Sequence, residues 1–425
     1  MEVIKTAVSW FLGLGSTVIV PIVLMILGFA FKVEAKKTIR GAIMTGVGLA
    51  GLFLIVDLIV AALQPAVAAM ATRMGLSLTL VDVNWADAGI AWGWPGVAGV
   101  LLITLAVNAV LISLRITKTL WVDIWSYWHG SALAGFVWAL TGNLWWGIVA
   151  GVLYLTIGGF LGDWTAKDIQ EFHGMPGISV PCGTTVQAGV FAKLITPILD
   201  KIPGFKNWDA SPDAIRKRFG LLGEPVVMGA ILGIVIGIAA GYNVQKILGL
   251  AMQVATMMVV LPRMVSIISE GLIPIAQGVI GFMREKFGNR EIYVAVDCAV
   301  TLGHPSVMAS TVILYIIAIL LAAVLPGNKL LPIASLAVIP FWVGSVVPYT
   351  KGNVVKTVLV MALYMIPVLY IASVVAPVQT QAYNMMGQYT EEIAKGTLLG
   401  SFDMGGDPLG FLIQNVMRLL GLSVL

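Results

Sequence analysis

Asp87-Ala-Gly-Ile-Ala-Trp-Gly93-Trp-Pro95-Gly-Val97 and Asp297-Cys-Ala-Val-Thr-Leu-Gly303-His-Pro305-Ser-Val307 share one pattern, D-x5-G-[WH]-P-x-V, at an offset of 210. The register continues downstream. Gly142-Asn143 lies over Gly352-Asn353, and Leu153-Tyr154 over Leu363-Tyr364, again at 210. Upstream, Gly15 and Val18 match Gly223 and Val226 at 208. Internal repetition describes architecture before any single residue does. In each copy Gly and Pro interrupt a helix, and an Asp sits at the interruption.

The repeat belongs to a chain whose composition excludes a water-facing surface. Of 425 residues, 59% are hydrophobic and 11% charged, with 25 Lys+Arg and 21 Asp+Glu. Soluble domains carry about 25% charge. Disorder needs low hydrophobicity and is excluded too. A bilayer span takes about 20 apolar residues, so the chain has room for roughly ten. The net charge of +4 comes without a long basic run, so no nucleic-acid partner is expected. Cys182 and Cys298 stand alone, and the three histidines are widely spread, so no metal site is expected. No P-loop, G-x-S-x-G or H-E-x-x-H occurs, so neither a catalytic residue nor a cofactor is expected. The first apolar run is too long for a cleavable signal.

Spans are expected near Val8–Phe31, Gly41–Leu63, Val97–Leu114, Gly130–Leu140 and Trp146–Leu161. A second set is expected near Glu224–Ala240, Val244–Leu261, Ser306–Val324, Leu331–Val347 and Val354–Val375. Lys32, Lys36, Lys37 and Arg40 follow the first span, Arg115 and Lys118 the third, and five Lys/Arg within 201–218 the fifth. Cytoplasmic loops collect such charges, which places the N-terminus outside. Five spans per half is an odd number, so the second half inserts upside down. The fold class expected is an all-α polytopic membrane protein with two inverted five-helix repeats and re-entrant or broken helices. Its organisation is a first repeat over 1–200, a basic cytoplasmic linker over 201–222, and a second repeat with a C-terminal segment over 223–425. Inverted repeats mark transporters that alternate access about a midplane site. Irregular backbone at membrane depth survives only against protein or water.

Ionisable residues inside the membrane are functional candidates. Asp87 and Asp297 suit polyol hydroxyls, since a carboxylate accepts several hydrogen bonds; the alternative is that each caps the helix that follows. Asp57 reads as a packing or interfacial residue. His129 follows Trp121, Trp125 and Trp128, which read either as an interfacial belt or as faces for a sugar. His304 stands where the first half has Trp94, and it reads as a site residue or as a helix-start residue. Glu171-Phe-His-Gly174-Met-Pro-Gly177-Ile-Ser-Val-Pro181-Cys-Gly183-Thr-Thr185 is the densest run of breaks and reads as a re-entrant loop opening a helix near Thr184. Asp403-Met-Gly405-Gly406-Asp407-Pro408 occupies the related place in the second half. Both are otherwise ordinary loops.

Several motifs carry a family resemblance. They are Val122-Asp123-Ile124-Trp125 with Trp128-His129, Leu161-Gly162-Asp163-Trp164, Phe219-Gly220 with Gly223-Glu224-Pro225, Asp297 with Leu302-Gly303-His304, Pro326-Gly327-Asn328, and Gly405-Gly406. In this order, over nearly the whole chain, they resemble the galactitol-specific IIC permease component of the bacterial phosphotransferase system. The ascorbate permeases of the same superfamily are more distantly similar. The resemblance implies a homodimeric, multi-pass permease of the inner membrane, in contact with lipid, that moves its substrate by an elevator-like motion. It implies a polyol substrate, galactitol first, phosphorylated by a separate IIB subunit that a IIA subunit supplies. The site it implies involves the break near Gly89–Trp92, His129, the turn Pro181–Thr184 and Asp297; with Asp87 and His304 from the residues themselves, the expected substrate-binding set is Asp87, Trp92, His129, Cys182, Gly183, Thr184, Asp297 and His304. The galactitol pattern has a histidine after the proline of the turn, where this chain has Cys182, so the polyol can differ. An ion-coupled transporter of the same fold, with Asp87 or Asp297 binding the cation, is the competing expectation.

Overall fold

Helical propensity and apolar length give most of the chain its form. A computed structural model describes residues 16–76, 78–204, 210, 211, 214, 217, 218, 220–287 and 291–423. The expected span from Val8 therefore begins outside the described residues, as do Gly15, Lys206 and Arg216. The first half runs α1 (Ser16–Ala30), α2 (Ala35–Arg73), β1 (Leu80–Asp82), a 3-10 turn (Asn84–Asp87), α3 (Ala88–Gly93) and α4 (Val97–Ser113). It continues with β2 (Thr119–Leu120), α5 (Ile124–Thr141), α6 (Leu144–His173), β3 (Ile178–Ser179) and α7 (Gly183–Leu199). The second half runs α8 (Pro225–Ala239), α9 (Val244–Phe287), β4 (Tyr293–Ala295), a 3-10 turn (Cys298–Gly303) and α10 (Pro305–Val324). A 3-10 turn (Ala334–Val338) then enters α11 (Ile339–Val346), followed by α12 (Val354–Met385), α13 (Thr390–Ala394), β5 (Leu398–Gly400) and α14 (Pro408–Leu419).

Among the described residues, five helices are long and apolar enough to cross a bilayer: Ala35–Ile55, Leu144–His173, Val244–Phe282, Pro305–Val324 and Val354–Met385. The segments Asn84–Gly93 and Val97–Ser113 add a sixth if counted as one span, and they meet at 86°. The bend falls on Trp94-Pro95-Gly96, where the repeated motif had placed a break. The chain is thus a polytopic α-helical membrane protein. Its long helices expose apolar side chains such as Leu54 (70%), Trp145 (67%) and Leu102 (64%), which suits hydrocarbon and not water. The stretch expected as a span at Leu331–Val347 differs. Pro340 starts α11 there, and the eight-residue helix and its 3-10 lead-in are too short for a core of about 30 Å. They are buried in protein instead.

Helices α2 and α9, of 39 and 44 residues, lie antiparallel along each other. Glycines allow the approach: a Cβ on Gly41 would stand 2.5 Å from the carbonyl oxygen of Gly271, and one on Gly48 2.8 Å from the amide of Ile268. Such small-residue seams are how membrane helices gain packing.

The short strands satisfy backbone groups where the helices break. β1 pairs in parallel with β5, and Leu80 also bridges to Leu330. β4 lies between β2 and β3, again in parallel. Each small sheet therefore joins strands from both halves of the chain. Gly142 and Gly352 both adopt the left-handed conformation (φ 66° and 70°), and Asn143 and Asn353 both cap the helix that follows.

Candidate functional site

Three irregular segments converge on one buried helix. Helix α5 starts at Asp123, whose carboxylate accepts from the amides of Trp125 and Ser126, and it is buried throughout Ser126–Val137. This burial puts His129 inside the protein. From β3 the chain passes Val180-Pro181-Cys182 and enters α7 at Gly183. Gly183 has φ +30°, and a Cβ there would lie 2.1 Å from Cδ2 of His129. Only glycine permits that approach. From β4 the chain reaches Asp297, which caps the following 3-10 turn by accepting from the amide of Ala299 at 2.8 Å. From β5 it reaches Asp403 and Asp407 ahead of α14.

Asp403 is the hub. Its Oδ2 accepts from Trp85 Nε1 at 3.0 Å, and its Oδ1 accepts from the hydroxyl of Thr184. The Thr184 hydroxyl accepts in turn from Trp342 Nε1 at 2.9 Å. His129 Nδ1–H donates to the carbonyl of Trp125 at 2.7 Å. Its Nε2 faces Asp403 Oδ1 at 3.2 Å, so a single proton serves both. Asp407 is held alongside, accepting from Gln187 Nε2 at 2.8 Å and from the amide of Gly410.

Trp85, Trp125, His129 and Asp403 of this network line a cavity of about 40 Å³. Trp85, Trp125, Trp128, Phe53 and Phe341 supply aromatic faces, and His129, Cys182, Thr185, Asp297, Cys298 and Asp403 supply polar or sulfur atoms. Among the described residues, three buried polar atoms on its walls have no hydrogen-bond partner in the protein: Asp297 Oδ2, Trp125 Nε1 and Trp128 Nε1. Buried polar groups are normally paired. One acceptor and two donors beside aromatic surface match the hydroxyls and C–H faces of a carbohydrate.

The structure brings together His129, Cys182, Gly183, Thr184 and Asp297. It places three other candidates elsewhere. Asp87 is buried in a closed network, accepting from Gln379 at 2.7 Å, Tyr383 at 2.8 Å and Ser401 at 2.9 Å. Trp92 packs among apolar side chains of α3–α6. His304 accepts from the amide of Ser306 at the start of α10 and packs on Phe172 at 4.7 Å. Asp57 is exposed on α2. Asp403 was not singled out from sequence, although its Gly-rich break was. The rule that an intramembrane carboxylate is a candidate would have found it.

A polytopic helical bundle with re-entrant breaks around a buried polar cavity is the build of a membrane permease. The chain belongs to the family described as the PTS system sugar-specific permease component, which matches residues 10–392. It is 34% identical over 417 residues to a provisionally assigned permease IIC component of Escherichia coli (strain K12), covering 98% of this chain and 92% of that protein. It is 33% identical over 408 residues to the PTS system galactitol-specific EIIC component of the same strain, covering 96% and 90%. The galactitol-specific EIIC component of Escherichia coli O157:H7 matches equally well.

Proposed function

We propose that this chain carries a polyol, galactitol in the first instance, across the bacterial inner membrane for phosphorylation by a separate IIB subunit, which a IIA subunit recharges. The observation that carries the polyol reading is the cavity wall, where an unpaired carboxylate oxygen and two unpaired indole N–H groups stand beside aromatic faces. The site residues are His129, Cys182, Gly183, Thr184 and Asp297, with Asp403 holding His129 and Thr184 in place. Asp87, Trp92 and His304 lie outside the cavity lining and hold the fold around it.

The same reading has the chain as two inverted repeats over 1–200 and 223–425, joined by a basic cytoplasmic linker at 201–222. The matched element order, the shared Gly-Asn turns and the exchange of strands between halves support it. At about 40 Å³ the cavity lies far below the roughly 300 Å³ of an ordinary small-molecule pocket, so its arms must part to admit a hexitol. An elevator motion within a homodimer supplies that opening.

Membrane vesicles carrying the chain decide the matter. Uptake should require phosphoenolpyruvate and the IIA and IIB subunits, and the product inside should be the polyol phosphate. Accumulation of unmodified polyol without a phosphoryl donor, abolished by an uncoupler, would establish the ion-coupled transporter instead.

A further inference from the structure

Cys182 and Cys298 are 116 positions apart in sequence, yet their sulfurs stand 3.5 Å apart, in contact. They sit on different arms. Cys182 ends the loop before α7 in the first half, and Cys298 opens the 3-10 turn after Asp297 in the second. Both are free thiols and both line the cavity. Elsewhere the protein encloses them, leaving 1% and 6% exposed, so the cavity is the way in for a small reagent. A disulfide is about 2.05 Å long and the two Cβ atoms stand about 3.8 Å apart, so bonding asks each sulfur to move by under about 1 Å. Cys182 is the cap residue of α7 and Cys298 the first residue of its 3-10 turn, so neither lies in a helix interior, where backbone hydrogen bonds on both sides would oppose the shift.

We propose that Cys182 and Cys298 are a modification site, a dithiol across the cavity that a peroxide closes to a disulfide, tying the two arms together. The chemistry balances with one peroxide. The sulfur of one thiolate attacks a peroxide oxygen and the O–O bond breaks. A sulfenic acid forms, and the departing hydroxide takes the proton the thiol released, giving water. The second thiol then attacks the sulfenic sulfur, the S–S bond forms and a second water leaves. Two thiols lose two electrons and two protons, and one peroxide becomes two waters. Tied arms cannot part, so the cavity cannot widen and transport stops.

The transport consequence rests on the permease reading; the bond itself does not. The test therefore uses two readouts on the full chain in membranes treated with hydrogen peroxide. Non-reducing peptide mapping should show a peptide joining 182 to 298, lighter than its parts by two hydrogens and lost on adding dithiothreitol. Polyol uptake should fall with the same time course and return with dithiothreitol. C298S and C182S, each scored against its own untreated uptake, should form no such link and show no peroxide-dependent fall. Absence of the linked peptide in the wild-type chain at peroxide levels that oxidise free thiols overturns the proposal, whether or not the chain transports. An equal fall in C298S, or a link that forms while uptake is unchanged, overturns the locking of the arms.

Discussion

The Asp297 carboxylate does two jobs, and Asp297→Asn separates them. Oδ1 accepts from the amide of Ala299 at 2.8 Å and caps the 3-10 turn, whereas Oδ2 is buried at the cavity without a partner. Asparagine keeps a carbonyl oxygen for the cap, and as a capping residue it equals aspartate. The fold should therefore hold, with a stability change within about 0.5 kcal/mol. The cavity loses its charged acceptor and gains an amide N–H₂ in its place. A hydrogen bond to a charged group is worth about 1.5–3 kcal/mol, and at about 1.4 kcal/mol per decade that is a loss of roughly 10- to 150-fold in polyol affinity. Asp297→Ala removes cap and acceptor together and should add a stability loss of about 0.5–2 kcal/mol. The assay is vesicle uptake against polyol concentration, with thermal unfolding of the purified protein beside it. The reasoning fails if Asp297→Asn transports with an unchanged half-saturating concentration, or if it unfolds as readily as Asp297→Ala.

Gly183→Ala places a methyl 2.1 Å from the His129 ring, so the ring must leave Asp403. Displacement of that size should lower uptake by about 100-fold, and a variant transporting at the wild-type rate would show that His129 needs no fixed place. Asp87→Asn breaks into a carboxylate that accepts three buried hydrogen bonds, from Gln379, Tyr383 and Ser401. It should cost about 1.5–3 kcal/mol of stability while leaving half-saturation for the polyol near the wild-type value; the opposite pattern would put Asp87 in contact with substrate. Lys118 and Glu291 form a 2.6 Å ion pair between residues more than half exposed, so Glu291→Gln should change stability by under about 1 kcal/mol even at low salt. The Lys118 hydrogen bond holds the Glu291 carboxyl below its ordinary 4.5. That small contribution is present at neutral pH and lost as pH falls through the lowered value. An unfolding profile of the variant matching the wild type below that point and trailing it above is the expected result.

Composition alone placed the chain in a membrane, because 46 charges cannot clothe 425 residues in water. Local chemistry also placed the breaks. Pro and Gly deny a helix its hydrogen bonds wherever they fall, and the repeated motif ends in a break before Val97 and before Pro305, although its body is a short α-helix in the first half and a 3-10 turn in the second. Gly142-Asn143 and Gly352-Asn353 took identical backbone roles for the same local reason. What the motif could not reveal is that its two aspartates differ. Asp87 is satisfied by Gln379, Tyr383 and Ser401, residues about 300 positions away, while Asp297 keeps one oxygen free at a cavity. The same holds for Asp403, which meets His129 across 274 positions, and for Leu331–Val347, apolar enough for a span but folded as a buried stub. Apolar length and helix-breaking are properties of neighbours in sequence, so they can be read along the chain. Whether a buried carboxylate is spent on the protein or left for a ligand depends on partners that only the tertiary fold delivers.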